Sequence, residues 1–395
     1  MDRPPFPTRL TLLLVSSLTV MSGATIAPAL PAMAGHFAAV DVADAGFWSR
    51  VVLTAPAIGI ALTASAAGAL GDRLGRVRLM MAAAVLYAAA GSAGLWTGGV
   101  AALVASRVAL GLAVAVLMTG ATALIGGTFH GRARDAFMGL QASFMGFGGV
   151  VFLTVGGALA EVHWRAPFTL YLASLPLLAL MAATLRGLPP PVEREPAAPP
   201  ATGGAPRVPP LLLYVLAGLT FATFYQTPTL MPFRLEEMGL RDPTRIGVIV
   251  STLPLVAAAS ALVFGRLRRH LAPPAVLALG FGLFGLAYVG VAQATTPAAA
   301  WVFLACGGIG LGWAMPTLSV WLLAIVPARR RGQAAGGLTA GVFVGQFVAP
   351  LAAQPVVAVA GTQAAFAAAA ALLGVAAITL AWWHRVIESA LTSEE

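Results

Sequence analysis

The sequence predicts an all-α membrane protein of twelve transmembrane helices in two six-helix bundles, and three observations carry that prediction. Apolar residues make up 59% of the chain and charged residues only 9%, with mean hydropathy +0.89; ordinary globular domains are less apolar. Runs of roughly 18 or more residues with almost no charge recur along the whole length, each long enough to cross the ~30 Å hydrocarbon core as a helix. The longest interruption, LRGLPPPVEREPAAPPATGGAPRVPP from Leu185 to Pro210, leaves six runs on either side.

The runs fall at 9–33, 47–71, 79–97, 100–127, 135–160 and 166–186, then at 209–233, 245–265, 272–292, 298–326, 333–357 and 362–384. They are too long and too uniformly apolar for barrel strands, and a bilayer admits only helices or closed barrels. The first run, with Arg9 before it and small residues near Ala32 and Ala34, has the outline of a signal peptide. Its removal would leave eleven spans and break the pairing of halves, so it is taken as span 1. The interruption, rich in Pro, Gly and Ala, predicts a flexible linker. The expected domains are 1–186, a linker 187–208, and 209–395 with a short tail. Cys306 is the one cysteine, which excludes an intramolecular disulfide.

A net charge of +9 invites a nucleic-acid reading, but the placement of the charges argues for topology instead. All 23 basic residues are arginine. With the N-terminus inside, 17 of them fall on the cytoplasmic side: Arg3, Arg9, Arg73, Arg76, Arg78, Arg132, Arg134, Arg186, Arg194, Arg207, Arg266, Arg268, Arg269, Arg329, Arg330, Arg331 and Arg385. Five (Arg50, Arg165, Arg234, Arg241 and Arg245) fall outside, and Arg107 lies within a span. The positive-inside rule then puts both termini in the cytoplasm, with anionic lipid head groups as the partner of the basic face.

The two halves are similar to each other. Pro31 near the end of span 1 corresponds to Pro232 in span 7, and Gly139-Leu140 in span 5 to Gly337-Leu338 in span 11. The loop GALGDRLGR after span 2 corresponds to FGRLRRHL after span 8. The offsets run from 197 to 201 residues. Secondary transporters are commonly built from such repeats, with a site between the halves.

The stretch GALGDRLGRVRLM, Gly68 to Met80, is the densest charge cluster between spans. Its arginines suit head-group anchors. Asp72 does not fit that role, because the C-terminal end of a helix is already negative and disfavours a carboxylate. It therefore needs a cationic partner or another helix's N-terminus. Gly68 and Gly71 allow close helix approach, and Gly75 a tight turn. GALGDRLGR closely resembles the loop 2–3 signature of the major facilitator superfamily, G-x-L-a-D-r-x-G-r. That resemblance, with twelve spans and a central linker, covers nearly the whole chain. It implies that Asp72 latches the cytoplasmic side near Gly332 and Gln333, with Gly68, Arg73, Gly75 and Arg76 in the same gate.

Span 4, LVASRVALGLAVA, resembles a second family signature, l-x-x-x-R-x-x-q-G, with Arg107 and Gly111 in the marked positions. Span 5 places Gly139, Gly148, Gly156 and Gly157 at the spacing of the family's antiporter motif. Phe152-Leu153 stands where that motif has Gly-Pro, which weakens the antiport implication and leaves helix packing as the plain role of those glycines.

None of the fourteen acids sits at mid-bilayer. Many proton-coupled relatives carry an acid in span 1 or 4; span 1 here offers Ser16, Ser17, Thr19, Ser22 and Thr25 instead. Arg107 is the one ionised residue inside a span, where burial costs ~2.5 kcal/mol or more. Its open roles are a ligand for an anionic or carbonyl-rich substrate, a modulator of a proton carrier such as Glu161, or a plain structural one in which it snorkels outward or caps backbone carbonyls. Gln141, Tyr225, Gln226 and Trp313 are candidate cavity-lining or coupling residues. The prolines Pro228 and Pro232 in span 7 predict a kinked cavity wall.

The expected function is alternating-access transport of a small organic solute, with proton-coupled efflux from a bacterial cytoplasmic membrane as the first reading. A facilitator or importer of an anionic metabolite, with Arg107 as ligand, is the alternative. No cofactor, metal or nucleic acid is expected, and the working unit is a monomer in lipid. An intramembrane enzyme is disfavoured because the spans lack a His cluster or paired carboxylates. A non-transporting sensor would need an output domain, and only eleven residues follow His384.

Overall fold

The structure of the protein is a computed structural model that describes residues 4–129, 131–186, 208–327 and 330–392. Outside those residues lie all but the last residue of the expected linker 187–208, together with Arg3, Arg194, Arg207, Arg329, His130 and the acids Asp2, Glu193, Glu195, Glu394 and Glu395. The side chains of Arg132, Asp135 and Glu388 are likewise not described.

Among the described residues all regular structure is helical. Eleven stretches are long and apolar enough to cross a membrane. The last of them, Arg331–Arg385, runs for 55 residues; at ~1.5 Å per residue it would reach about 80 Å unbroken. Gly361 interrupts it at φ 78°, ψ −178°, a backbone region that is essentially glycine's alone. The stretch is therefore two spans, and the total is twelve. A Cβ on Gly361 meets nothing within 4 Å, so Gly361→Ala tests the backbone by itself. The expected cost is about 2 kcal/mol, measured as a lowered thermal midpoint; an unchanged midpoint would contradict the break.

The chain divides into two compact units, Met1–Glu195 with Asp242–Val248, and Pro196–Arg241 with Ile249–Glu395. In the first, span 1 consists of α1 (Phe6–Ala24) and α2 (Leu30–Ala39), joined through a 3-10 turn at Ala27–Ala29. Pro28 and Pro31 withhold backbone donors there. Span 2 is α3 (Ala45–Thr54) and α4 (Pro56–Leu74). Spans 3, 4 and 5 are α5 (Arg76–Ser92), α6 (Val100–Thr128) and α7 (Gly131–Val162). Span 6 begins as a 3-10 stretch, Ala166–Ala173, and ends as α8 (Ser174–Thr184).

In the second unit, span 7 breaks at Tyr225 between α9 (Pro210–Phe224) and α10 (Gln226–Glu237). Span 8 is α11 (Pro243–Ala261), whose first residues belong to the first unit, followed by the short α12 (Phe264–Leu267). Spans 9 and 10 are α13 (Pro273–Gln293) and α14 (Pro297–Ile325), and α15 (Arg331–Thr392) holds the last two.

Glycine-to-carbonyl contacts repeat between the halves at the spacing of the sequence similarity. A Cβ on Gly111 of α6 would overlap the carbonyl oxygen of Pro56, and one on Gly308 of α14 would meet the carbonyl oxygen of Leu253. Gly308 and Leu253 each lie 197 residues beyond their counterparts. Gly148 faces Ser17, and Gly345 faces Gly218. The chain breaks in spans 1 and 7, at Thr25 and Tyr225, correspond as well. Lipid supplies no hydrophobic drive between helices, so such small-residue contacts set how closely they pack.

Candidate functional site

Arg107 sits two turns into α6 and is fully buried. Its Nη2 donates to the carbonyl oxygen of Ala90 at 3.1 Å and to that of Gly91. Both carbonyls belong to the last turn of α5, where helical carbonyls have no partner further along the chain. The guanidinium lies 4.8 Å from the Phe168 ring centroid and 4.9 Å from that of Tyr171, within cation–π range. These rings press on the end of span 3 at Gly91 and, just past α5, at Gly94, where a Cβ would overlap them. Arg107 Nε and Nη1 have no hydrogen-bond partner. The geometry is a cationic cap on the end of span 3, held by span 6.

The same span end carries a second arginine that sequence reasoning left among the external charges. Arg165 Nη1 donates to the carbonyls of Gly94 (2.9 Å) and Thr97 (3.1 Å). In the second unit Arg234 Nη2 does the same for span 9, donating to Ala294 at 2.9 Å and Ala292 at 3.3 Å. A negative helix end favours cations, so these arginines, expected outside and contrary to the charge bias, have local work. The signal was available: each follows or precedes a span end on the side that should be poor in arginine.

At the other end of the first unit, α4 runs on through Asp72 to Leu74, and Gly75 (φ 87°) alone separates it from α5. The expected loop is thus a single-residue turn, because the charged residues extend the helix ends rather than leaving them. Arg76 Nε and Nη2 bind Asp72 Oδ1 at 3.0 and 2.5 Å. The Asp72 side chain remains 55% exposed, so the pair leaves the carboxylate room for a further partner. Arg73 is exposed, Gly68 lies beside Thr119 of α6, and Gln333 is in the second unit.

The five hydroxyls of span 1 turn back on their own helix: Ser16 to Leu12, Ser17 to Leu14, Thr19 to Ser16, Ser22 to Thr19 and Thr25 to Met21. Gln141 Nε2 reaches Ser16 Oγ at 2.8 Å. Glu161 is exposed and accepts from Thr244 Oγ1, whereas the hydrogen bonds of Arg107 go to Ala90 and Gly91. In the second unit Tyr225 lies beside Gln346. Gln226 is buried with Oε1 unpartnered, and Trp313 Nε1 donates to the Ser260 carbonyl at 3.3 Å. Of the span 5 glycines, Gly156 lies against the Thr25 carbonyl and Gly157 against Pro243, while a Cβ on Gly139 would meet nothing.

The family model of the Major Facilitator Superfamily matches residues 12–273 and 241–394. A multidrug efflux pump, LfrA of Mycolicibacterium smegmatis, is 36% identical over 118 residues, and the uncharacterized transporter EfpA of Mycobacterium tuberculosis is 35% identical over 102. These alignments cover 29% and 26% of this chain and 23% and 19% of the relatives, so the chain spans about a fifth of the curated relatives it matches. Solved structures share the fold over about 95% of the chain at 15–17% identity. They include a bacterial homologue of the lysosomal transporter Spinster (TM-score 0.74, 96% of that chain) and a D-xylose–proton symporter (0.70, 97%). The human organic anion transporter MFSD10 also shares it (0.66, 100%). With twelve crossing segments, duplicated halves and a family match over almost its full length, the chain belongs to the Major Facilitator Superfamily, a family of multi-pass transporters and not of enzymes.

Proposed function

We propose that the chain exports small organic solutes from a bacterium in exchange for protons. The halves 1–186 and 209–395, tethered by 187–208, alternate access in this reading, both termini are cytoplasmic, and one chain is the working unit. The observation that carries the choice of efflux over anion import is the complete burial of Arg107, whose Nη2 is bonded to the carbonyls of Ala90 and Gly91. A substrate ligand needs donors facing a solvent-filled path; this guanidinium holds a helix end. The partial likeness to a multidrug efflux pump supports the same direction.

Asp72 is assigned the inner gate, with Arg76 as its standing partner and Gln333 as a residue of the closing surface. Replacing the exposed Cys306 by Ser gives a cysteine-free chain on which a single reporter cysteine can be placed at position 333. Asp72→Asn is expected to raise the labelling rate of that cysteine several-fold and to slow transport about tenfold. Equal labelling and undiminished transport would remove Asp72 from the gate.

The direct test of function uses purified protein in vesicles with an imposed pH gradient. A fluorescent lipophilic cation should move against its gradient only when protons run the opposite way. Movement indifferent to the pH gradient would overturn proton exchange. Uptake of small carboxylates that Arg107→Lys abolishes would install the anion reading instead.

A further inference from the structure

Spans 9 and 12 leave two grooves between them, both wholly within the second unit. One, of about 470 Å³, lies towards Gln293 and Gln363 and is otherwise lined by alanines and Val289. The other, of about 460 Å³, runs along Ala275, Leu279, Gly282 and Leu286 on α13, faces Ile378 across the gap, and ends at His384 and Arg385. Similar in size and built from the same two helices, they differ at their mouths: one is neutral, the other cationic.

The geometry points to the second groove as a binding site for one anionic phospholipid, an acyl chain in the slot and the phosphate at Arg385. Three features select that occupant. The slot follows α13 from Ala275 to Leu286, about 16 Å at helical rise, which is half of the ~30 Å core and so one leaflet deep. Its wall is almost entirely apolar, with small residues at Ala278, Gly282 and Ala381 that leave the space open. The charge sits at one end only, where Arg385 is exposed. There the first turn of α13 adds the positive end of its dipole. Basic recesses between spans favour anionic head groups. The site stands independently of the transported solute and of proton coupling.

Native mass spectrometry of the full chain, loaded with equimolar phosphatidylglycerol and phosphatidylcholine, tests it. Wild type should retain one lipid with about a fivefold preference for phosphatidylglycerol, the value of one near-surface arginine. Arg385→Gln keeps the slot and should bring the preference to parity. Gly282→Leu keeps the charge but fills the slot; a Cβ there meets nothing within 4 Å, so the fold tolerates it, and retention of both lipids should fall. Gln363→Leu, in the neutral groove, should change neither. Equal retention of the two lipids by wild type, or an undiminished preference in Arg385→Gln, overturns the proposal. So does a dimer that Gly282→Leu dissociates, which would make a second copy the occupant. Should Gly282→Leu elute as aggregate, the Arg385→Gln arm decides alone.

Discussion

Gly111→Leu is expected to eliminate folded protein. A side chain at 111 enters the carbonyl of Pro56, backbone on the facing helix that cannot rotate away. Overpacking of this kind costs ~1–3 kcal/mol where side chains can give way, and more where backbone must move. The loss should exceed about 3 kcal/mol, enough to consume a large part of a typical domain's stability. Fluorescence-detected size-exclusion of the membrane extract would show it as the absence of a monodisperse peak. Gly139→Leu is the matched control, because its Cβ meets nothing and the peak should remain. A monodisperse Gly111→Leu would mean that spans 2 and 4 are not in the contact described.

Arg107→Leu carries the second large effect. The change installs the residue found at the repeat-related position, Leu304, which is fully buried in the second half. It relieves the cost of burying a charge, ~2.5 kcal/mol or more. It also removes charge-assisted hydrogen bonds to two carbonyls at ~1.5–3 kcal/mol each and the stacking on two rings, up to ~2 kcal/mol. The balance is a net loss of about 3 kcal/mol, read as a lower thermal midpoint of the detergent-purified protein. Arg107→Lys, with a single point donor in place of a planar fork, should recover part of it. A midpoint at or above wild type for Arg107→Leu would mean that the cap contributes nothing and that the charge is retained for transport alone.

The helical fold and the count of spans were legible because each span repeats one simple property, an apolar run as long as the bilayer is thick. The break at Gly361 was legible as the gap between the runs 333–357 and 362–384, but which residue makes it shows only in its φ. The duplicated seams were half legible. An offset of 198 residues, within one of the structural repeat, could be read from Gly139 and Gly337, but which glycines meet a carbonyl depends on helix rotation, which periodicity in uniformly apolar segments does not fix. Asp72 and Arg107 stood out as charges in apolar surroundings. The acceptors of Arg107 did not, because they are backbone carbonyls and backbone carries no sequence signature. The acceptors of Arg165 and Arg234 were hidden for the same reason, although the position of each arginine at a span end was visible.

Span 1 meets span 5 mostly through glycine: Gly148 at Ser17, Gly149 at Val20, Gly156 at Thr25. Its hydroxyls are already occupied by its own carbonyls, and the bond from Gln141 to Ser16 is the one directed tie described between the two helices' side chains. Such a surface behaves as a bearing. It is smooth on the scale of a methyl group and almost free of polar pins, so one helix can shear along the other while breaking a single hydrogen bond. The hydrogen bond from Gln141 to Ser16 is then the polar contact that such a shear has to break.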